Sequence, residues 1–235
     1  MKTVIIHGQN HKGSSYHMGR LLAEKVAAEG EITEFFLPKN LNHFCLGCYS
    51  CIENETKCPY WSEKKVILEA MEQADLFIFT TPNYCFAPSG SMKAFLDLMF
   101  DCWMSHRPKE WMFEKRAAIL SASAGAPNGR VIKTIKTSLS GWGIPYIRSY
   151  GIAVQAANWG TVKPKIKTKI EKSISKLAWK FRSDKKPHVG FATRFVFNLM
   201  GNMHKAGWDA SPVEKQYWEE RGWLNKERPW KKKNA

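Results

Sequence analysis

Four of the six cysteines fall in one short stretch, with Cys45, Cys48 and Cys51 at two-residue gaps and Cys58-Pro59 after six further residues. Thiols this close along a chain can meet at one metal centre, and in a reducing compartment such a cluster argues for metal or redox work over a structural disulfide. Two-residue gaps with a more distant Cys before Pro approach bacterial iron–sulfur ligation, although there the last gap is three residues and the fourth Cys serves a second cluster. A gap of six favours a single centre. Zinc is a rival, but structural zinc sites take two separated Cys pairs, and no second pair stands at that distance. A third reading has no metal: thiols that line a loop, fill a small apolar pocket or form a labile disulfide.

A second chemical signal is Gly8-Gln9-Asn10-His11-Lys12-Gly13-Ser14-Ser15, a polar run between an apolar segment and a helical pattern. Backbone N–H groups and the helix dipole at such a junction favour a phosphate, and the Ser14 and Ser15 hydroxyls add donors. The run lacks Gly-x-Gly-x-x-Gly and Gly-x4-Gly-Lys-Ser/Thr, which speaks against a dinucleotide fingerprint and a nucleoside triphosphatase. A mononucleotide phosphate fits better. Taken alone, the same run also suits a plain chain reversal.

The elements that must position these residues read as alternating strands and helices. The strand candidates are Thr3–His7, Ile32–Leu37, Asp75–Thr81, Ala117–Ser121 and Tyr146–Val154. Between them, helical spacing is expected before Gly30, over Lys65–Ala74, Ser91–Trp103 and Gly129–Leu139. Parallel crossovers need covering helices, and the continuous apolar character of the strands fits burial on both faces. The fold class is therefore α/β, a doubly wound five-stranded parallel sheet. Ligands of such sheets sit at the carboxyl ends of the strands, so the loops after Ile6, Thr81 and Ser121 should converge on one site.

Those three loops carry a resemblance. Together with the first run, Thr81-Pro82-Asn83-Tyr84-Cys85-Phe86, Ser91-Met92-Lys93-Ala94-Phe95-Leu96-Asp97 and Ser121-Ala122-Ser123-Ala124-Gly125 resemble the flavodoxin-like NAD(P)H-dependent FMN reductases over roughly residues 1–155. The resemblance implies an FMN-dependent NAD(P)H oxidoreductase that passes electrons to a flavin, quinone or other small-molecule or protein acceptor, and a homodimer. It implies that Gln9, His11, Ser14 and Ser15 hold the FMN phosphate, that Pro82, Asn83, Tyr84 and Phe86 border the isoalloxazine, and that Ser123, Ala124 and Gly125 contact it from the other side. The family's usual first loop reads Gly-Ser-x-Arg, so here the pH-dependent imidazole of His11 replaces a guanidinium. Within the family, the cysteine run is similar to that of iron–sulfur flavoproteins, which implies Cys45, Cys48, Cys51 and Cys58 as ligands of a four-iron four-sulfur cluster. The competing reading is a flavodoxin-like electron carrier or docking module without reductase turnover.

Single residues also have plainer readings. Tyr84 can pack at a strand end, Lys93 and Asp97 suit an exposed helical pair, and Cys85 and Cys102 read as buried apolar fillers. His7, His17 and His43 show no recognisable pairing.

The net charge of +15 is uneven: 19 of the 36 Lys/Arg but only 7 of the 21 Asp/Glu lie in residues 161–235. Two parts are expected, an FMN-binding domain over 1–160 and a basic, Trp-rich, mostly helical C-terminal extension over 161–235. The extension's helix with Ile166, Ile170, Ile174, Leu177 and Phe181 is amphipathic. It is expected to pack on the core or complete a dimer, with peripheral contact to an anionic membrane as the alternative. No recognised nucleic-acid module accompanies the basic residues, so nucleic acid is not an expected partner. The start is too short an apolar run for a signal peptide, and the expected location is the cytoplasm.

Overall fold

The computed structural model describes residues 1–28, 31–182 and 186–231, so Gly30 lies outside the described residues. Five strands run parallel: β1 (Thr3–His7), β2 (Ile32–Phe36), β3 (Leu76–Tyr84), β5 (Arg116–Ser123) and β6 (Tyr146–Ala153), with β4 (Ala87–Pro88) a two-residue strand antiparallel to the end of β3. The spatial order is β2-β1-β3-β5-β6, which is the flavodoxin-like order with its switch point between β1 and β3. In register, Thr3 lies beside both Ile32 and Leu76, and Leu76 beside Arg116, so the carboxyl ends of the strands finish at one edge.

Alternation along the strands builds two cores. Val4, Ile6, Phe77, Phe79, Ala117 and Ile119 face one side, where α4 (Trp61–Gln73), α5 (Gly90–Leu98) and α6 (Gly129–Gly141) add Leu68, Phe95 and Leu139. Ile5, Ile78, Ala118 and Leu120 face the other, against Met18 and Leu22 of α1 (Ser14–Val26). That second face is completed by α7 (Pro164–Trp179), whose Ile170 and Ile174 are wholly buried with the following Phe181. Residue 160 is therefore no break in packing, because a sheet apolar on both faces needs a helix layer on each.

Of two short helices, α2 (Leu37–Asn40) precedes the cysteine segment and α3 (Ser50–Glu53) lies within it. Beyond α7, α8 (Phe191–Lys205) and α9 (Pro212–Glu220) form a third cluster in which Phe197, Trp218 and Trp223 enclose Met104 and Phe113. The other side of α8 leaves Phe191, Phe195 and Leu199 exposed. Among the described residues no helix is long and apolar enough to cross a membrane.

Several boundaries differ from the expected ones. The third strand runs on to Tyr84 because its end pairs with β4, and α4 starts at Trp61, earlier than its apolar spacing shows. The helix expected over Ser91–Trp103 ends at Leu98, with a single tight turn at Phe100–Cys102.

If α7 is part of the sheet's core, Ile174→Ala should lower unfolding stability by about 2–5 kcal/mol in urea denaturation, whereas Phe195→Ala on the exposed side of α8 should change it by less than about 0.5 kcal/mol.

Candidate functional site

At the edge where the strands end, the first loop leaves β1 through Gly8. Its N–H donates to the Thr80 carbonyl at 2.8 Å, and its carbonyl accepts from Ser89 Oγ at 2.7 Å. A Cβ at Gly8 would stand 2.5 Å from that hydroxyl, so only glycine permits the approach. The loop ends at Gly13, the N-cap of α1, which offers no side chain to the first-turn N–H groups, and that turn holds no acidic residue. A Cβ at Gly13 would lie 2.9 Å from the His11 ring, which places the imidazole beside the open helix end. The exposed His11 and Lys12, the half-buried Gln9 and Ser14 and the buried Ser15 thus surround uncapped donors, a suitable setting for an anion.

The second and third loops are tied to each other. Asn83 Nδ2 donates to the Pro127 carbonyl at 3.0 Å, while Asn83 Oδ1 is buried with no hydrogen-bond partner. Buried amide oxygens are seldom left unpaired, so this atom marks a place where a donor is missing. After Pro82 and Asn83 the chain turns through Cys85 and Phe86 at φ 50° and 63°, both left-handed, to bring Ala87 back against Tyr84. Hairpin turns of this hand usually use Asn-Gly, and a bulky residue there is strained. Tyr84 and Phe86 are exposed, and so is Cys85, which corrects its expected burial; only Cys102 is buried. In the third loop Asn128 bridges Ser121 Oγ at 2.9 Å and Ser123 Oγ at 3.3 Å, and the Ala124 carbonyl accepts from Gln155 N–H at 2.9 Å. Ser123 is buried beneath the loop, while Ala124 and Gly125 are exposed at its tip.

A cleft of about 1100 Å³ lies between α5, α6 and the cysteine segment, and its lining includes none of the residues of the three loops. Cys45, Cys48, Cys51 and Cys58 all line it, each as a free thiol. Among the described residues, however, no three His, Cys, Asp or Glu side chains converge as metal ligands. The expected ligand set is gathered on one wall without forming a coordination shell: Cys45 and Cys48 lie on the loop, Cys51 on α3, and the left-handed Tyr49 between them turns the chain. The thiols also differ in acidity. Hydrogen bonds from the Ser50 hydroxyl and backbone hold Cys48 below the ordinary thiol range, whereas burial, then the charge of Asp101, pushes Cys51 up to about 11.

The wall behind them is fixed by buried charge. Lys64 and Asp101 are ion-paired with almost no exposure, and Asp101 Oδ2 has no further partner. Burial alone would lower the Lys64 pKa, but the charge and hydrogen bond of Asp101, together with Cys102 and Cys51, hold it above the usual lysine value. Arg107 donates to the Cys51 carbonyl. From the other side α9 fixes the same segment: Glu214 pairs with His106 Nδ1, Trp218 Nε1 donates to the His106 carbonyl at 2.8 Å, and Tyr217 donates to the Pro108 carbonyl at 2.7 Å. Burial would raise the Glu214 pKa, but the His106 bond and charge and two backbone N–H groups together hold it below the ordinary carboxylate value.

The sequence profile described as NADPH-dependent FMN reductase matches residues 1–158, two thirds of the chain. The chain belongs to that family. It is 28% identical over 98 residues to an iron–sulfur flavoprotein of Archaeoglobus fulgidus, a match spanning 41% of this chain and 48%, about half, of that relative. Its fold is similar to that of an FMN-dependent NADH-azoreductase from Bacillus anthracis, solved with FMN, at TM-score 0.60 and 12% identity, covering 78% of this chain and 100% of that one. The NAD(P)H:(acceptor) oxidoreductase FerB from Paracoccus denitrificans is similar at TM-score 0.51 and 17% identity, covering 76% and 96%.

In this FMN reductase family member the Lys93–Asp97 helical pair forms as expected, with Nζ to Oδ2 at 2.7 Å. The histidines are paired after all. His7 is buried between Thr80 Oγ1 and Glu34 Oε2, each at 2.8 Å, with its pKa lowered by burial against the pull of Glu34. His43 pairs with Glu63 at 2.8 Å and stacks on Tyr60, and His17 stacks on Trp159. These partners are distant in sequence, and nothing in local spacing signals them.

Two outcomes follow for this site in the FMN reductase family member. Replacing Cys85-Phe86 by Asn-Gly should stabilise the protein by about 1–3 kcal/mol in thermal unfolding, because the turn's left-handed conformation then costs little. Glu214 has a depressed native pKa, so its contribution is present above its ordinary value of 4.5 and lost as pH falls below it. Glu214→Gln should therefore remove part of the stability at neutral pH and flatten the acid limb of a stability–pH profile.

Proposed function

We propose that this chain is an FMN-dependent NAD(P)H oxidoreductase that passes electrons to a flavin, quinone or other small acceptor. The observation that carries this reading is that the loops after β1, β3 and β5 share one sheet edge, the first ending in a helix whose N–H donors are uncapped and the second holding the buried, unpartnered Asn83 Oδ1. These groups fit a mononucleotide: donors and a cationic rim for a phosphate at one end, an unused amide acceptor and exposed aromatic rings at the other. Bound FMN would supply the ring that takes hydride from the nicotinamide and releases the electrons singly or in pairs.

The chain's own residues would bind and orient. Gln9, His11, Ser14 and Ser15 would hold the phosphate. Pro82, Asn83, Tyr84 and Phe86 would border the ring system, where the strained turn holds Phe86 outward to cover it from water. Ser123, Ala124 and Gly125 would close the third side, with Ser123 tied down by Asn128.

A second reading is favoured by one observation, the four free thiols on a single cleft wall. On this reading Cys45, Cys48, Cys51 and Cys58 take up an iron–sulfur centre, and the wall must rearrange to bring the sulfurs together, with release of the Cys51 proton.

One spectrum tests both. Protein purified without oxygen should show flavin bands after FMN is added, and these should bleach with NAD(P)H. Asn83→Ala should weaken FMN binding about tenfold, the effect of one lost buried hydrogen bond. No uptake of FMN would refute the flavoprotein reading. A broad absorption beneath the flavin bands, with iron and sulfide in the protein and both absent from Cys48→Ser, is expected for the cluster; flavin bands alone from anaerobic, iron-replete expression would exclude it.

A further inference from the structure

The cleft between α5, α6 and the cysteine segment has a chemical character of its own. Its aromatic lining is held in place before any ligand arrives. Trp103 is wedged against Gly141, where a Cβ would stand 2.5 Å from the indole ring. Phe100 is packed edge-on by Tyr49 at 5.8 Å and against His106 at 4.2 Å, and Tyr60 stacks nearly parallel on His43 at 4.1 Å. Fixed rings around a concave apolar space favour flat aromatic ligands, because little side-chain freedom is lost on binding. The volume, about 1100 Å³, lies at the upper end of small-molecule sites and suits a fused-ring molecule.

The charges in the cleft are not balanced. Lys93 is neutralised by Asp97 one turn along α5. On α6, Arg130 and Lys133 stand three residues apart on the cleft face, followed by Thr134 and Thr137, and among the described residues neither cation has an ion-pair partner. Two uncompensated cations on one wall of an apolar cleft select for a negative group. Arg130 follows Asn128 of the third loop by two residues, so the cationic end of the cleft adjoins the strand ends.

We propose that this cleft binds a planar, fused-ring aromatic anion, with the rings against Phe100 and Trp103 and the acidic group on Arg130 and Lys133. The inference deepens the oxidoreductase reading by naming an acceptor class, and rests on that reading only for the transfer of electrons. For a quinone of this class the balance is quinone plus NAD(P)H plus one proton from solvent, giving hydroquinone and NAD(P)⁺.

Equilibrium dialysis of the full chain against anthraquinone-2-sulfonate and neutral 2-(hydroxymethyl)anthraquinone tests it, with FMN titration and sedimentation velocity on the same samples. The sulfonate should bind more tightly than the neutral compound. Arg130→Ala/Lys133→Ala should weaken the sulfonate about tenfold or more and leave the neutral compound within about threefold. Thr137→Trp, which fills the cleft without changing its charge, should weaken both about tenfold or more. Equal binding of the sulfonate by all three proteins would overturn the proposal, as would no binding by the parent chain. A dimer that Thr137→Trp splits, with no dye bound, would assign the cleft to a second copy and overturn it as well. FMN uptake without sulfonate binding would refute this inference alone, and sulfonate binding without FMN uptake would refute the flavin reading alone.

Discussion

The Ser89 hydroxyl is the joint on which the site depends. It donates to the Gly8 carbonyl, accepts from the Met92 N–H to cap α5, and lies within 3.2 Å of Thr81 Oγ1, all with no exposure to solvent. One buried group thus fixes the first loop against the second and sets where α5 begins. A hydroxyl can serve all these because it offers one donor and two acceptor positions. The absence of a side chain at Gly8 is the matching requirement, and together they bring the ends of β1 and β3 into contact at the sheet's switch point. The third loop joins through a weaker tie, the Asn83 amide reaching Pro127.

What could be read from the residue order divides along physical lines. The strands were legible because apolar runs such as Leu76–Thr80 and Ala117–Leu120 are continuous where both faces are buried, and the three loops follow from that order. The hairpin after Tyr84 was not legible, since Cys85-Phe86 carries none of the turn chemistry that its backbone adopts. His7 looked unpaired because Thr80 and Glu34 are brought to it only by the register of β1 with both its neighbours. The membership of α7 in the core was half visible: its apolar spacing was plain, but a break in composition at its start does not coincide with a break in packing.

That helix also accounts for part of the chain's uneven charge, with five Lys against the single Glu171. With Ile170, Ile174 and Leu177 turned into the core, Lys165, Lys169, Lys172 and Lys176 are left on the exposed side. Part of the positive field is therefore the outer face of a structural helix. The two cations with a distinct setting are elsewhere, on α6, where the neighbouring surface is concave and aromatic.

The bonds from α9 to residues 106–108 have a consequence in the order of synthesis. Glu214 meets His106 across 108 residues of chain, and Trp218 reaches the same residue across 112. The strands and loops of the sheet are complete by residue 153 and the helix layer by residue 179, well before α9 leaves the ribosome. The cleft wall is thus the last part of the site to be locked, because the brace that α9 supplies to residues 106–108 comes from a later stretch of chain than the sheet and its helix layers. Docking of α9, more than formation of the sheet, is the event that completes the wall beside the thiols.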